Sequence, residues 1–351
     1  MFLSDPEIDR DRLISENGKR VDGTCEWIRE DAAYNTWRSG DTNLLWINGG
    51  PGKGKTVLSI FLTQELERKI DTIFYFCSND DQERNNATAV LRGLIWHVTG
   101  KRPQLADGLL EHLSDEKRTQ AALTSPETLW SIFVKMLKDS RVGTKYCVLD
   151  GLDECNEDSQ RWLVAKLMDL VSVDVLGSSN IAFKIAIISR SGLGLARCTQ
   201  VRLDPDNDKQ VGKEIQTFVS SRVQQLASMV SLPAELHHEV QTALLDRSEG
   251  TFLWVGFAMV ELLKKKNGYQ DTKGSLLPTK RSAGDIWSNV APDRERTQAD
   301  KPYDSAVGNT SFPASVFVGN RYGDWDADVT SHYSGTSNSR SDIDLRTTCQ
   351  N

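Results

Sequence analysis

Gly49-Gly50-Pro51-Gly52-Lys53-Gly54-Lys55-Thr56 meets the pattern G-x-x-x-x-G-K-[ST] at every fixed position. Glycines let the backbone turn tightly enough to aim successive N–H groups at phosphate oxygens. Lys55 supplies a point charge for the β- and γ-phosphates, and the Thr56 hydroxyl is placed to ligate Mg²⁺. The candidate nucleotide-binding set runs through Gly49, Gly50, Pro51, Gly52, Lys53, Gly54, Lys55, Thr56 and Val57. Such a loop needs a carboxylate at the end of a neighbouring strand to hold the metal. Tyr146-Cys147-Val148-Leu149-Asp150-Gly151-Leu152-Asp153-Glu154 offers one, Asp150 standing roughly 95 residues after Lys55. Asp150 ends a mostly apolar run, at the carboxyl edge where open α/β sheets bind ligands. Thr56 and Asp150 are therefore the metal candidates. Either Asp153 or Glu154 can orient or deprotonate the attacking water. Arg190 closes the next apolar run, Phe183–Ser189, where its charge can sense the γ-phosphate. The chain has no Asn-Lys-x-Asp sequence to read guanine, so the expected ligand is Mg²⁺ with ATP or ADP, GTP being left open.

These residues need elements to hold them. Strand-like runs at Leu44–Asn48, Thr72–Cys77, Lys145–Leu149, Phe183–Ser189 and Thr199–Leu203 alternate with helical patterns at Thr56–Ile70, Thr88–Val98, Pro126–Lys138 and Ser159–Val171. Ser125 before Pro126 is a helix start, a serine N-cap followed by proline at the first position. Alternation of this kind predicts an α/β fold, a parallel five-stranded sheet flanked by helices and carrying the phosphate loop. We expect linker helices over 1–43, the nucleotide-binding domain over 44–204 and an all-α subdomain over 205–268. That subdomain has three helical patterns, Lys209–Ser228, Pro233–Ser248 and Thr251–Lys266. The last is apolar nearly all round and predicts an interior helix. Residues 269–351 are rich in Ser, Thr, Asp, Gly and Asn, hold no hydrophobic period, and are expected to be a disordered tail.

Charge and composition restrict the function further. The net charge of −7 leaves no basic excess to neutralise a nucleic-acid backbone, so no nucleic-acid partner is expected. The six cysteines have no zinc spacing and read as buried free thiols of a reducing compartment. The five histidines share no spacing that suggests a metal or a catalytic triad. The N-terminus lacks a basic stretch followed by an apolar one, and the longest apolar run, residues 252–263, is too short to cross a bilayer. The expectation is a cytoplasmic protein with no membrane span.

Four runs also resemble a known family. Leu45–Thr56, Leu149–Cys155, Ile187–Arg190 and Ser248–Val255 resemble the NACHT domain in order and spacing. The resemblance is nearest to the fungal NOD-like receptors of heterokaryon-incompatibility proteins, which are similar to the nephrocystin N-terminal segment. Gly23–Ile28 resembles the linker leading into that domain. The resemblance implies a STAND-class signalling NTPase, a switch that hydrolyses nucleoside triphosphate slowly and forms homo-oligomers in the triphosphate state. It assigns Mg²⁺ to Asp150, water activation to Asp153 or Glu154, and γ-phosphate sensing to Arg190. In related plant resistance proteins a Gly-Leu-Pro-Leu element places a proline near the base. Gly250-Thr251-Phe252-Leu253 takes that place here without the proline. Members also carry an effector domain before the linker and repeats after a winged helix, so the chain reads as truncated. The alternatives are a binding-only fragment or a metabolic enzyme of the phosphate-loop class, which would need a lid or strand-binding surface that the sequence does not show.

Overall fold

The computed structural model describes residues 5–40, 42–68, 71–106, 115–139, 145–172, 183–204, 209–230 and 234–259. Five strands, β1 (Leu44–Asn48), β2 (Thr72–Phe76), β3 (Lys145–Asp150), β4 (Phe183–Ser189) and β5 (Thr199–Arg202), form one sheet. All neighbours are parallel and the order is β2-β3-β4-β1-β5. β4 therefore lies between the strand that leads into the phosphate loop and the strand that ends in Asp150.

Both faces of this sheet are covered, and the strand period of two decides which side chain goes where. Leu44, Trp46, Ile73, Tyr75, Cys147, Leu149, Ile185 and Ile187 enter one core. Helices α4 (Ala87–Lys101), α6 (Pro126–Leu137) and α7 (Glu157–Val171) supply the rest of it. Leu45, Ile47, Phe74, Phe76, Val148, Ala186 and Ile188 enter the other. There they meet α2 (Ala32–Ser39), α3 (Lys55–Glu67), α8 (Lys209–Val230) and α9 (Ala234–Arg247). Two further helices, α1 (Pro6–Asn17) and α5 (Glu116–Thr124), were not expected individually. Both are polar, and each starts on an aspartate that accepts a backbone N–H, Asp5 from Glu7 and Asp115 from Arg118. The Ser125 cap forms as the sequence predicts, accepting from the Thr128 N–H with Pro126 at the first position.

Residues 252–259 are helical. The expectation of a helix buried all round is corrected here. Val255, Ala258 and Met259 pack into the second core, while Phe257 is 42% exposed. An apolar surround does not guarantee interior position when the helix sits at the margin of a domain. Expectations for residues 260–351, the tail included, lie outside the described residues. Among the described residues no helix is long and apolar enough to cross a membrane.

At the free edge of β2 the Phe74 N–H donates to His97 Nδ1 at 3.2 Å, and the ring stands edge-on to Phe74. Nδ1 is thereby an acceptor, so the proton of the neutral ring sits on Nε2, 3.3 Å from Glu7 Oε1. Glu67 completes a Glu7–Glu67–His97 cluster, but it already takes the charges of Arg10 and Lys101. With one ring nitrogen occupied and two cations alongside, the cluster is a cap on the sheet edge rather than a metal centre. Burial, and then the Lys101 charge, holds the His97 pKa below its usual value. The unfolded chain therefore binds the proton first, so His97 contributes stability above about pH 6.5 that is lost as pH falls. We predict that His97→Asn, which keeps an acceptor for Phe74, flattens the fall in denaturation free energy between pH 7 and 5. Urea titrations at the two pH values check it.

Candidate phosphate site

The loop leaves β1 under close restraint. The Gly49 N–H donates to the Ser189 carbonyl at the end of β4, 3.3 Å away. A Cβ at Gly49 would fall 2.8 Å from that of Leu203, so only glycine fits between β1 and the chain leaving β5. Gly52 (φ 71°) and Gly54 (φ 79°) take the left-handed conformation that starts α3 without a side-chain cap. Helix α3 therefore opens with uncapped N–H groups at the loop, a geometry suited to an anion. Lys55 Nζ donates to the carbonyls of Gly49 (3.0 Å) and Gly50 (2.8 Å), bracing the loop from inside. Pro51 is exposed, and Val57 packs partly buried against the second core.

Helix α3 is tied to the acidic strand by a residue that sequence reasoning missed. Ser59 is fully buried; its hydroxyl donates to Asp150 Oδ1 at 2.8 Å and lies 2.9 Å from the Lys55 carbonyl. Its signal was its position, one turn after Thr56 and so on the same helix face. The Thr56 side chain lies near Asp150 as well and favours its charged form. The two candidate metal ligands, one on α3 and one on β3, thus meet. Burial pushes the Asp150 carboxyl up to about 6, against the Ser59, Thr56 and Lys55 contacts that oppose it.

Beyond Asp150 the chain turns through Gly151 (φ 70°), whose N–H donates to the Ile188 carbonyl of β4. A short 3-10 turn, Leu152–Glu154, then separates the two remaining carboxylates. Asp153 faces the centre. Its Oδ2 lies 3.5 Å from Arg190 Nε, and its Oδ1 is buried with no hydrogen-bond partner. Glu154 turns towards β2, where Oε2 accepts the Asn79 N–H at 3.2 Å. Burial, and then the Asp150 charge, pushes Glu154 up to about 7. Burial lowers the Lys55 pKa, opposed by Asp153, Asp150 and Glu154 in that order. Because β4 lies between β1 and β3, Arg190 at its end stands between the loop and the acidic turn.

Three carboxylates thus share their surroundings with Lys55 and Arg190. Hard oxygen donors, a raised Asp150 and an unpartnered Asp153 oxygen together suit a divalent cation such as Mg²⁺, which Thr56 and Asp150 would hold. The glycine loop at a helix N-terminus, the half-buried lysine and an acidic strand one strand removed define a nucleotide-binding protein of the P-loop NTPase type.

Comparison with known proteins agrees with that class and narrows it. Residues 23–190 match the family described as Nephrocystin 3, N-terminal. The chain is 29% identical over 277 residues to the vegetative incompatibility protein HET-E-1 of Podospora anserina. Together these matches support a NACHT/HET-type protein. The alignment with HET-E-1 covers 75% of this chain and 20% of that relative, so the chain spans about a fifth of its length. Among solved structures it is similar to Cdc6p from Pyrobaculum aerophilum, at 15% identity and TM-score 0.40, covering 72% of this chain and 64% of that one. It is also similar to PCH-2 of C. elegans, at 10% identity and TM-score 0.36, covering 81% and 67%. Those scores add nothing to what the sheet order already shows.

The fully buried Asp150 carries a physical cost that can be measured. Its folded pKa lies above its unfolded one, so its stabilising contribution is complete below about 3.8 and is lost as pH rises through about 6. Asp150→Asn should therefore raise the stability of the protein without ligand at pH 8 by on the order of 1 kcal/mol, with the gain vanishing near pH 4. Thermal denaturation at both pH values decides; a variant less stable than the parent at pH 8 contradicts this account.

Proposed function

We propose that the chain binds Mg²⁺–ATP or ADP at residues 49–57 and acts as a slowly hydrolysing signalling switch. The observation that carries this reading is the meeting of Lys55, Thr56, Asp150, Asp153 and Arg190 at the carboxyl ends of β1, β3 and β4. In this reading the loop N–H groups and Lys55 hold the phosphates. A bound Mg²⁺ supplies positive charge to the phosphate oxygens. Asp153, with a free carboxylate oxygen facing the centre, orients the attacking water. Arg190 holds Asp153 and faces the γ-phosphate. Glu154, bound to the Asn79 N–H, fixes the acidic turn and is the weaker candidate for water activation.

We further propose that 1–43 is a linker, 44–204 the nucleotide-binding domain and 205–268 a helical subdomain that responds to the nucleotide. Incompatibility signalling and a homo-oligomer in the triphosphate state are the matching biological roles, supported by the similarity to HET-E-1. Buried free thiols at Cys25, Cys77, Cys147 and Cys155 fit a reducing, cytoplasmic setting.

Two sets of variants test the assignment. Lys55→Ala should weaken triphosphate binding at least about tenfold, roughly 1.4 kcal/mol, by calorimetry. Affinity unchanged for both ATP and GTP would place the site elsewhere. Asp150→Asn should reduce the Mg²⁺ dependence of binding. Asp153→Asn should leave binding within about threefold and slow hydrolysis by roughly a hundredfold, because water is oriented only on the way to the transition state. A larger loss of hydrolysis in Glu154→Gln than in Asp153→Asn would reverse the two roles.

A further inference from the structure

The phosphate loop is not an isolated surface. Lys53 Nζ donates to the Gly250 carbonyl at 2.7 Å, and in return the Phe252 N–H donates to the Gly52 carbonyl at 2.9 Å. The contact between these bonds is tight. A Cβ at Gly52 would stand 2.7 Å from that of Leu253, and one at Gly54 would stand 3.3 Å from the Phe252 ring. The segment approaching the loop is itself held firmly. Glu249 (φ 47°) and Gly250 (φ 67°) are left-handed, and the Thr251 N–H and hydroxyl both donate to the Ser248 carbonyl at 2.8 Å. On its far side Phe252 stands edge-on to Phe218 of α8, with centroids 5.4 Å apart, and the Arg222 guanidinium covers Phe218 at 5.1 Å. A continuous series of contacts therefore runs from loop backbone to helix α8.

We propose that residues 248–253 form a clasp through which occupancy of the phosphate loop sets the order of helix α8. The proposal rests on the phosphate-site reading above. Its physical basis is that a loop stiffened by phosphate must stiffen whatever shares its hydrogen bonds and leaves its glycines no free space. A flexible connection would absorb such a change; a turn with two left-handed residues and two bonds to one carbonyl transmits it. Lys53 adds a second tie, its ammonium group holding the Gly250 carbonyl of the turn to the loop. The clasp joins residues 197 positions apart, so the coupling belongs to the fold and not to local sequence.

Hydrogen exchange of the full chain, with and without saturating Mg²⁺–ATP, tests this. In the wild type, ATP should slow amide exchange at least about fivefold both in the first turns of α3 and along α8. In Phe252→Ala the α3 effect should persist and the α8 effect should fall below about twofold. Lys53→Met, measured at its own saturating concentration, should show the same separation. Should Phe252→Ala fail to fold, Phe252→Leu and Lys53→Met carry the comparison. Protection of α3 without α8 in the wild type overturns the clasp and leaves the phosphate site standing, as does α8 protection retained in both variants. No protection at α3 overturns the phosphate-site reading and the clasp with it.

Discussion

The Ser59 hydroxyl bonded to the buried Asp150 carboxylate joins the two halves of the site. Ser59 belongs to the helix that begins at the phosphate loop, and Asp150 to a strand separated from that loop by β4. Without this link the loop and the acidic turn would be positioned only through the sheet. With it, Thr56 and Asp150 are drawn together and the first turn of α3 is fixed in rotation. The restraints around Asp150 point the same way. Its carbonyl accepts the Cys77 N–H, and the following Gly151 N–H bonds to β4. With its backbone fixed in this way the carboxyl group stays away from water, and that desolvation raises its pKa against the opposing Ser59 bond.

That arrangement sets stability against function. A fully buried carboxylate, a Glu154 raised to about 7 and a lysine with a lowered pKa are each unfavourable for the protein alone. They become favourable only when phosphates and a dication supply the missing charges. Perturbed groups concentrated at the carboxyl ends of parallel strands are the physical mark of a ligand site. His97 is a useful contrast. It is also buried and shifted, yet its contacts to Phe74 and Glu7 account for it, and it marks a sheet edge.

Much of this was legible in the chain because the strands are short apolar runs bounded by polar turns. Phe183–Ser189 forms with the expected limits, and Leu44–Asn48 leads into the loop as its pattern requires. Helices α1 and α5 were not separately legible, since polar sequence carries little hydrophobic period and their aspartate caps are weak signals on their own. The sequence left Asp153 and Glu154 equivalent. Only the 3-10 turn separates them, sending one towards Arg190 and the other towards Asn79. Contacts across the fold were equally hidden. Nothing in the order of residues announces that Lys53 reaches Gly250, or that Gly52 is needed as much for Leu253 as for phosphate.

The central claim is that one triphosphate and one Mg²⁺ are held between the loop and the acidic strand. A crystal structure with a non-hydrolysable ATP analogue and Mg²⁺ tests it most directly. The account predicts phosphate oxygens against the N–H groups of residues 52–56 with Lys55 turned onto them, the metal beside Thr56 and Asp150, and Asp153 facing the γ-phosphate. Nucleotide bound away from the loop, or a metal held by other residues with Asp150 still bonded only to Ser59, would contradict it.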